Sequence, residues 1–67
     1  MEIVKQFREK LTNKTQLQYH NARYTGDNYN GIKEGKGMLE MANGSVYMGY
    51  FKNDLPNGLG IILFNNN

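Results

Sequence analysis

Apolar and polar positions change rhythm once along the 67-residue chain, close to residue 24. Before that point Ile3, Phe7 and Leu11 recur every four residues with Val4 beside them, the spacing of a single apolar stripe on a short helix. The helix is expected within residues 1–12. A helix of that length is marginal alone and forms only by packing its stripe on something. Across residues 13–23, Leu17 and Tyr19 alternate with Gln16, Gln18 and His20, which fits a linker or the surviving strand of a degenerate repeat.

From Tyr24 onward the alternation has period two. Tyr47, Gly49 and Phe51 fall on one face of a strand, and Gly58, Gly60, Ile62 and Phe64 can present a matching face on the next. Between them the run Asn53-Asp54-Leu55-Pro56-Asn57 reads as a turn, and Gly31-Ile32-Lys33-Glu34 is its counterpart upstream. Asn43-Gly44 is a short hairpin signal between the two units. The fold class is therefore mainly β: tandem antiparallel hairpins in one twisted sheet, with a short N-terminal helix.

Self-similarity sharpens this reading. The stretch Tyr24–Gly44 aligns without a gap on Tyr47–Asn67 at an offset of 23, with identities at Tyr24/Tyr47, Gly26/Gly49, Asn30/Asn53, Gly35/Gly58, Gly37/Gly60 and Asn43/Asn66. The order Tyr-x-Gly, then Gly-x-Gly after eight residues, carries the signal. Two units follow, at residues 24–46 and 47–67. A glycine leaves a hole in a pleated surface, and a neighbouring ring can lie across it. A bulky residue at Gly26, Gly35, Gly49 or Gly58 is accordingly expected to displace the aromatic lid.

These residues resemble the MORN repeat (membrane occupation and recognition nexus), whose copies run about 23 residues. The second copy matches at Tyr47, Gly49, Phe51, Asn53, Gly58, Gly60 and Phe64. The first supplies Tyr24, Gly26, Asn30, Gly31, Gly35, Gly37, Asn43 and Gly44, but has Asn28 where a large aromatic belongs; Tyr29 could compensate only from the other face. The resemblance implies an elongated ribbon of hairpins used as a platform. It further implies a structural subunit of a larger assembly, such as a ciliary or cytoskeletal one.

The face opposite the rings differs between copies. The first carries Thr25, Asp27, Tyr29, Met38 and Glu40, a mixed surface; the second carries Met48, Tyr50, Lys52, Ile61 and Leu63, which makes that hairpin apolar on both sides. A sheet apolar on both faces is usually covered on both. The cover is either the Ile3/Phe7/Leu11 stripe or a partner protein, and the partner is the expectation, with Met48, Tyr50, Ile61 and Leu63 as its contacts. Asn65-Asn66-Asn67 fall where a third copy would begin, and a bare strand edge there invites pairing with another subunit or with more of a longer chain.

Composition changes this picture in three respects. A chain so short cannot bury much of its surface, and with no cysteine and a single histidine the usual helpers, disulfides and metals, are lacking, which leaves association. The formal charge of +2 is concentrated early: residues 1–23 hold Lys5, Arg8, Lys10, Lys14 and Arg23 against Glu2 and Glu9, whereas the repeats hold Lys33, Lys36 and Lys52 against Asp27, Glu34, Glu40 and Asp54. Without a basic stripe on the sheet, nucleic acid is not an expected ligand. The N-terminal segment has no apolar run for a signal peptide or a bilayer span, so an intracellular, cytoplasmic protein is expected. Its basic residues beside an apolar stripe leave a second reading, a peripheral module binding acidic lipid, but the anchor would be weak.

Candidate chemistry is sparse. His20 is a lone imidazole and reads as a loop residue. Gly35-Lys36-Gly37 lacks the spacing of a phosphate loop, and the dispersed acids lack the pattern of a calcium loop. No catalytic residue, cofactor or metal site is assigned, and the function expected is non-enzymatic protein–protein interaction.

Overall fold

The computed structural model describes residues 2–65. Helix α1 spans Glu2–Lys10 and is followed by strands β1 (Gln16–Tyr19), β2 (Ala22–Tyr29), β3 (Ile32–Met41), β4 (Val46–Lys52) and β5 (Leu55–Leu63). The five strands form one antiparallel sheet in sequence order. Residues 16–19 are thus a strand, paired from Gln16↔Thr25 to Tyr19↔Ala22. The molecule measures 34 × 25 × 20 Å.

The dipole of α1 is well served. Glu2 lies in the first turn, Arg8 and Lys10 in the last. The Lys14 ammonium donates to the carbonyls of Glu9 (3.3 Å) and Leu11 (2.7 Å), which have no partner further along the helix. The stripe is rotated from the one expected: Val4, Phe7 and Leu11 face the sheet, while Ile3 is 42% exposed. Val4 and Leu11 form a buried cluster with Met38 and Met48, and Phe7, Val46 and Leu63 pack around it. Arg8 reaches Glu40 at 3.2 Å, and the Lys36 ammonium lies 5.4 Å from the centre of the Phe7 ring. The chain's own helix thus covers the centre of this face, over Met38 and Met48, and leaves Tyr50 and Ile61 exposed.

Both hairpin turns are tighter than the sequence suggests. Asn30-Gly31 alone joins β2 to β3, and Asn53-Asp54 alone joins β4 to β5. All four residues have positive φ (49°, 84°, 50° and 71°), the two-residue turn whose twist matches that of the flanking strands. Asn and Asp tolerate this conformation, so no longer loop is needed. Residues Ile32 to Glu34 consequently lie in β3. Pro56 lies in β5, where an edge strand can spare an N–H.

Pairing is interrupted at the same place in each repeat. Between Gly26↔Gly37 and Asn28↔Lys33, Asp27 alone faces Glu34, Gly35 and Lys36; between Gly49↔Gly60 and Phe51↔Pro56, Tyr50 alone faces Asn57, Gly58 and Leu59. Gly35 (φ 94°) and Gly58 (φ 80°) sit at the middle of these bulges, in a backbone conformation that side chains resist. Two extra residues keep the alternation in phase, so Lys33, Gly35, Gly37 and Leu39 still share a face.

Candidate interaction surface

Paired residues share a face, so the register assigns Leu17, Tyr19, Tyr24, Lys33, Gly37, Tyr47, Phe51, Gly60 and Ile62 to the side away from the helix. Among the described residues no second sheet covers it. The rings supply the layer instead. Tyr24 lies over Gly37 and donates its hydroxyl to the Asp27 carbonyl at 2.5 Å; Tyr47 lies over Gly60 and donates to the Tyr50 carbonyl at 3.3 Å. Phe51 stands edge-on between them, 5.1 Å from each ring centre. Burial pushes the Tyr24 hydroxyl up to about 12, with the Asp27 carboxylate and Tyr19 adding to the shift, so it stays protonated and able to donate at neutral pH.

The glycines divide the work differently from the expectation. Gly37 and Gly60 lie directly beneath the rings. Gly26 and Gly49 admit the backbone of the opposite strand, since an added Cβ would come within 2.5 Å of Gly37 or Gly60. Gly35 faces the Asp27 side chain, and Gly58 has nothing within 4 Å, so neither lies beneath a ring. Asn28 stands where Phe51 stands in the second copy, and Tyr29 is exposed, giving the first copy no substitute ring.

The acids are structural, a role sequence reasoning missed. Asp54 accepts from the Lys33 backbone N–H at 2.8 Å and lies 3.4 Å from its ammonium, while its own N–H donates to the Lys33 carbonyl. The Lys33 side chain is nearly buried, 4.5 Å from the Tyr19 ring centre. Asp27 accepts from the Lys36 N–H, Glu34 from the Asn53 N–H, and Glu40 pairs with Arg8 and Arg23. The turn of the second repeat is thus bolted to β3 of the first. The signal available in sequence was the pairing of Lys33 with an acid one repeat later, invisible until the register is known.

The Lys33 N–H holds the Asp54 carboxyl below the ordinary carboxylate range, assisted by the Lys33 ammonium and opposed by slight burial. A carboxyl whose folded-state pKa is depressed stabilises the fold while ionised: the contribution is full above its unfolded pKa and is lost as pH falls through the folded value. Asp54→Asn is expected to lower the melting temperature at pH 7, and the gap from wild type should close as pH drops below about 4. Thermal melts across that range check this; a gap that persists in acid would refute the assignment.

The proposed contact residues separate in the structure. Met48 is 2% exposed beneath the helix, and Leu63 is half-buried against the same cluster, so the chain itself contacts both. Tyr50 and Ile61 are exposed. Around them β5 is open along its length: every residue from Leu55 to Ile62 is exposed, with Leu59 at 82% and Ile61 at 50%. Phe64 follows the strand rather than ending it, and is exposed although Asn65 beside it is tied to Ser45 and Asn43. Position 66, expected to match Asn43, lies outside the described residues with Asn67.

Other sites are lean. His20 lies exposed in the β1–β2 turn. Among the described residues, no group of three or more His, Cys, Asp or Glu side chains could hold a metal ion, and no helix is long and apolar enough to cross a membrane. Two open hollows flank the Asn21–Arg23 and Glu40–Asn43 segments, and His20, Arg23 and Glu40 line the first of them.

In comparison with known proteins, the family model described as MORN repeat matches residues 24–46 and again 47–67. No curated protein and no solved structure matches the chain.

Proposed function

Since the chain belongs to the MORN repeat family, a non-enzymatic repeat type generally associated with protein–protein or membrane interactions, we propose that it is an interaction module that docks a protein along β5. The observation that carries this reading is the open edge strand, with Leu55, Leu59, Ile61, Ile62 and the adjoining Phe64 all exposed. A monomer seldom leaves an uncharged apolar edge bare, because it templates pairing. We extend the reading to a scaffold role inside the cell, as a small subunit of a larger ciliary or cytoskeletal assembly, on the strength of the family alone.

The lipid reading has less to work with. Val4, Phe7 and Leu11 face the sheet, Arg8 and Arg23 share Glu40, and Lys14 caps the helix. A photo-crosslinking residue at Ile61, compared with one at Gln18, is expected to give protein adducts in cells from position 61 only. Absence of protein adducts there would overturn the proposal. Salt-sensitive sedimentation with phosphatidylserine vesicles, lost in Lys5→Glu/Lys10→Glu, would replace it with the membrane role.

A further inference from the structure

Taking β5 as a docking edge, we propose that its occupant is a second copy of this chain, paired β5 to β5 in antiparallel fashion about a two-fold axis at Ile61.

The protein shows on itself what a covered edge looks like. β3 is the equivalent strand of the first repeat, and β4 seats on it through three groups: Phe51 against Gly35 and the Tyr24 ring, Asp54 on the Lys33 N–H and ammonium, and the Asp54 N–H on the Lys33 carbonyl. At an offset of 23 the receiving residue on β5 is Pro56, which has no N–H to donate and no cation. A head-to-tail neighbour would offer its own first repeat, where Asn28 stands for Phe51 and Gly31 for Asp54. The ring contact and the carboxylate contact would both be lost, leaving only a backbone bond from the Gly31 N–H to the Pro56 carbonyl. The neighbour's β2 is in any case occupied, by β1 from Ala22 to Thr25 and by the Thr15 carbonyl at Gly26. Nor does β1 suit: it is four residues long and sets Gln16 and Gln18 on the face where β5 sets Leu59 and Ile61. An open filament is disfavoured on both counts, and a closed, isologous pair remains.

The self-pairing is complementary. Beyond the bulge, β5 runs regularly from Gly60 to Leu63. A two-fold at Ile61 sets Ile61 against its own copy and Gly60 against Ile62 within this regular stretch, and Leu59, the last residue of the bulge, against Leu63, so every cross-strand pair is apolar or glycine. Pro56 falls outside this ladder. From Leu55 to Leu63 the strand carries no charged residue, so two copies meet without repulsion, where edges that must stay single usually carry lysine. The same pairing continues the sheet from five strands to ten.

The contact is small, so association is expected at about micromolar or higher concentration. Sedimentation of the full chain is expected to show its mass doubling from 7.7 kDa between about 5 µM and 500 µM. Ile61→Lys should stay monomeric throughout with an unchanged circular dichroism spectrum. Because the chain has no native cysteine, geometry can be read directly: Ile61→Cys should oxidise to a dimer, Leu59→Cys alone should not, and Leu59→Cys mixed with Leu63→Cys should. A wild-type chain that stays monomeric overturns the self-pairing while leaving β5 as a docking edge to be judged by crosslinks to other proteins. A dimer untouched by Ile61→Lys, an Ile61→Cys chain that does not link, or growth past a dimer also overturns it.

Discussion

Phe51→Ala is expected to leave the chain largely unfolded at room temperature. Phe51 is 3% exposed and touches both tyrosines edge-on, with interplanar angles of 88° and 80°. Truncating a buried phenylalanine costs about 3–5 kcal/mol, and each ring contact adds about 0.5–1.5. A domain this small has only about 5 kcal/mol to lose. Leu39 opposite Tyr47 and the Lys33–Asp54 pair at the sheet's end also link the two repeats on this face, but Lys33 would itself lose a neighbouring ring 6.0 Å away. Near-ultraviolet circular dichroism should lose its tyrosine signal, while Phe51→Leu should keep most of it. An alanine variant melting within a few degrees of wild type would show that the rings do not join the repeats.

Gly37→Ala is the second large effect, expected to destabilise by about 4 kcal/mol, at the upper end for overpacking. The added Cβ would lie 2.1 Å from the Tyr24 hydroxyl oxygen and 2.3 Å from Cζ. Tyr24 has no room to yield, being fully buried, pinned by the Asp27 carbonyl and flanked by Phe51. Gly37 has no unusual φ, so the penalty is collision alone. Gly60→Ala brings a similar clash, 2.2 Å from the Tyr47 hydroxyl, but that ring is half-buried and its hydrogen bond is longer, so it can swing outward. About half the cost is expected there. Gly58→Ala meets open space and should show only the strain of its positive φ, about 1 kcal/mol. Thermal melting of the three variants should rank 37 below 60 below 58; equal midpoints for 37 and 60 would remove the account of Tyr24 as the fixed ring.

The repeat and its rings were legible because they depend on spacing within one strand or one hairpin. Tyr24, Tyr47 and Phe51, with the Gly-x-Gly pairs, repeat at 23 residues whatever the register. The features that escaped depend on neighbours across the sheet. Val4 replaced Ile3 on the helix seam because the docking angle, and not the four-residue rhythm, decides which side of a broad stripe meets Met38 and Met48. Asp54 read only as part of a turn, among dispersed acids, until β3 and β4 were aligned, which brings it to Lys33. Pro56 drew the turn too long, since proline favours turns in general and an edge strand accepts it equally well. The apolar character of the second hairpin was read correctly in kind but assigned to a single occupant, whereas the helix takes Met48 and leaves Ile61.

Having rings in place of a second sheet sets how such a chain spends its length. Each 23-residue unit widens the ribbon by two strand spacings, about 10 Å. The same residues wound as a helix would reach about 35 Å. An array of this kind is thus poor at spanning distance and good at laying out area, a panel rather than a strut.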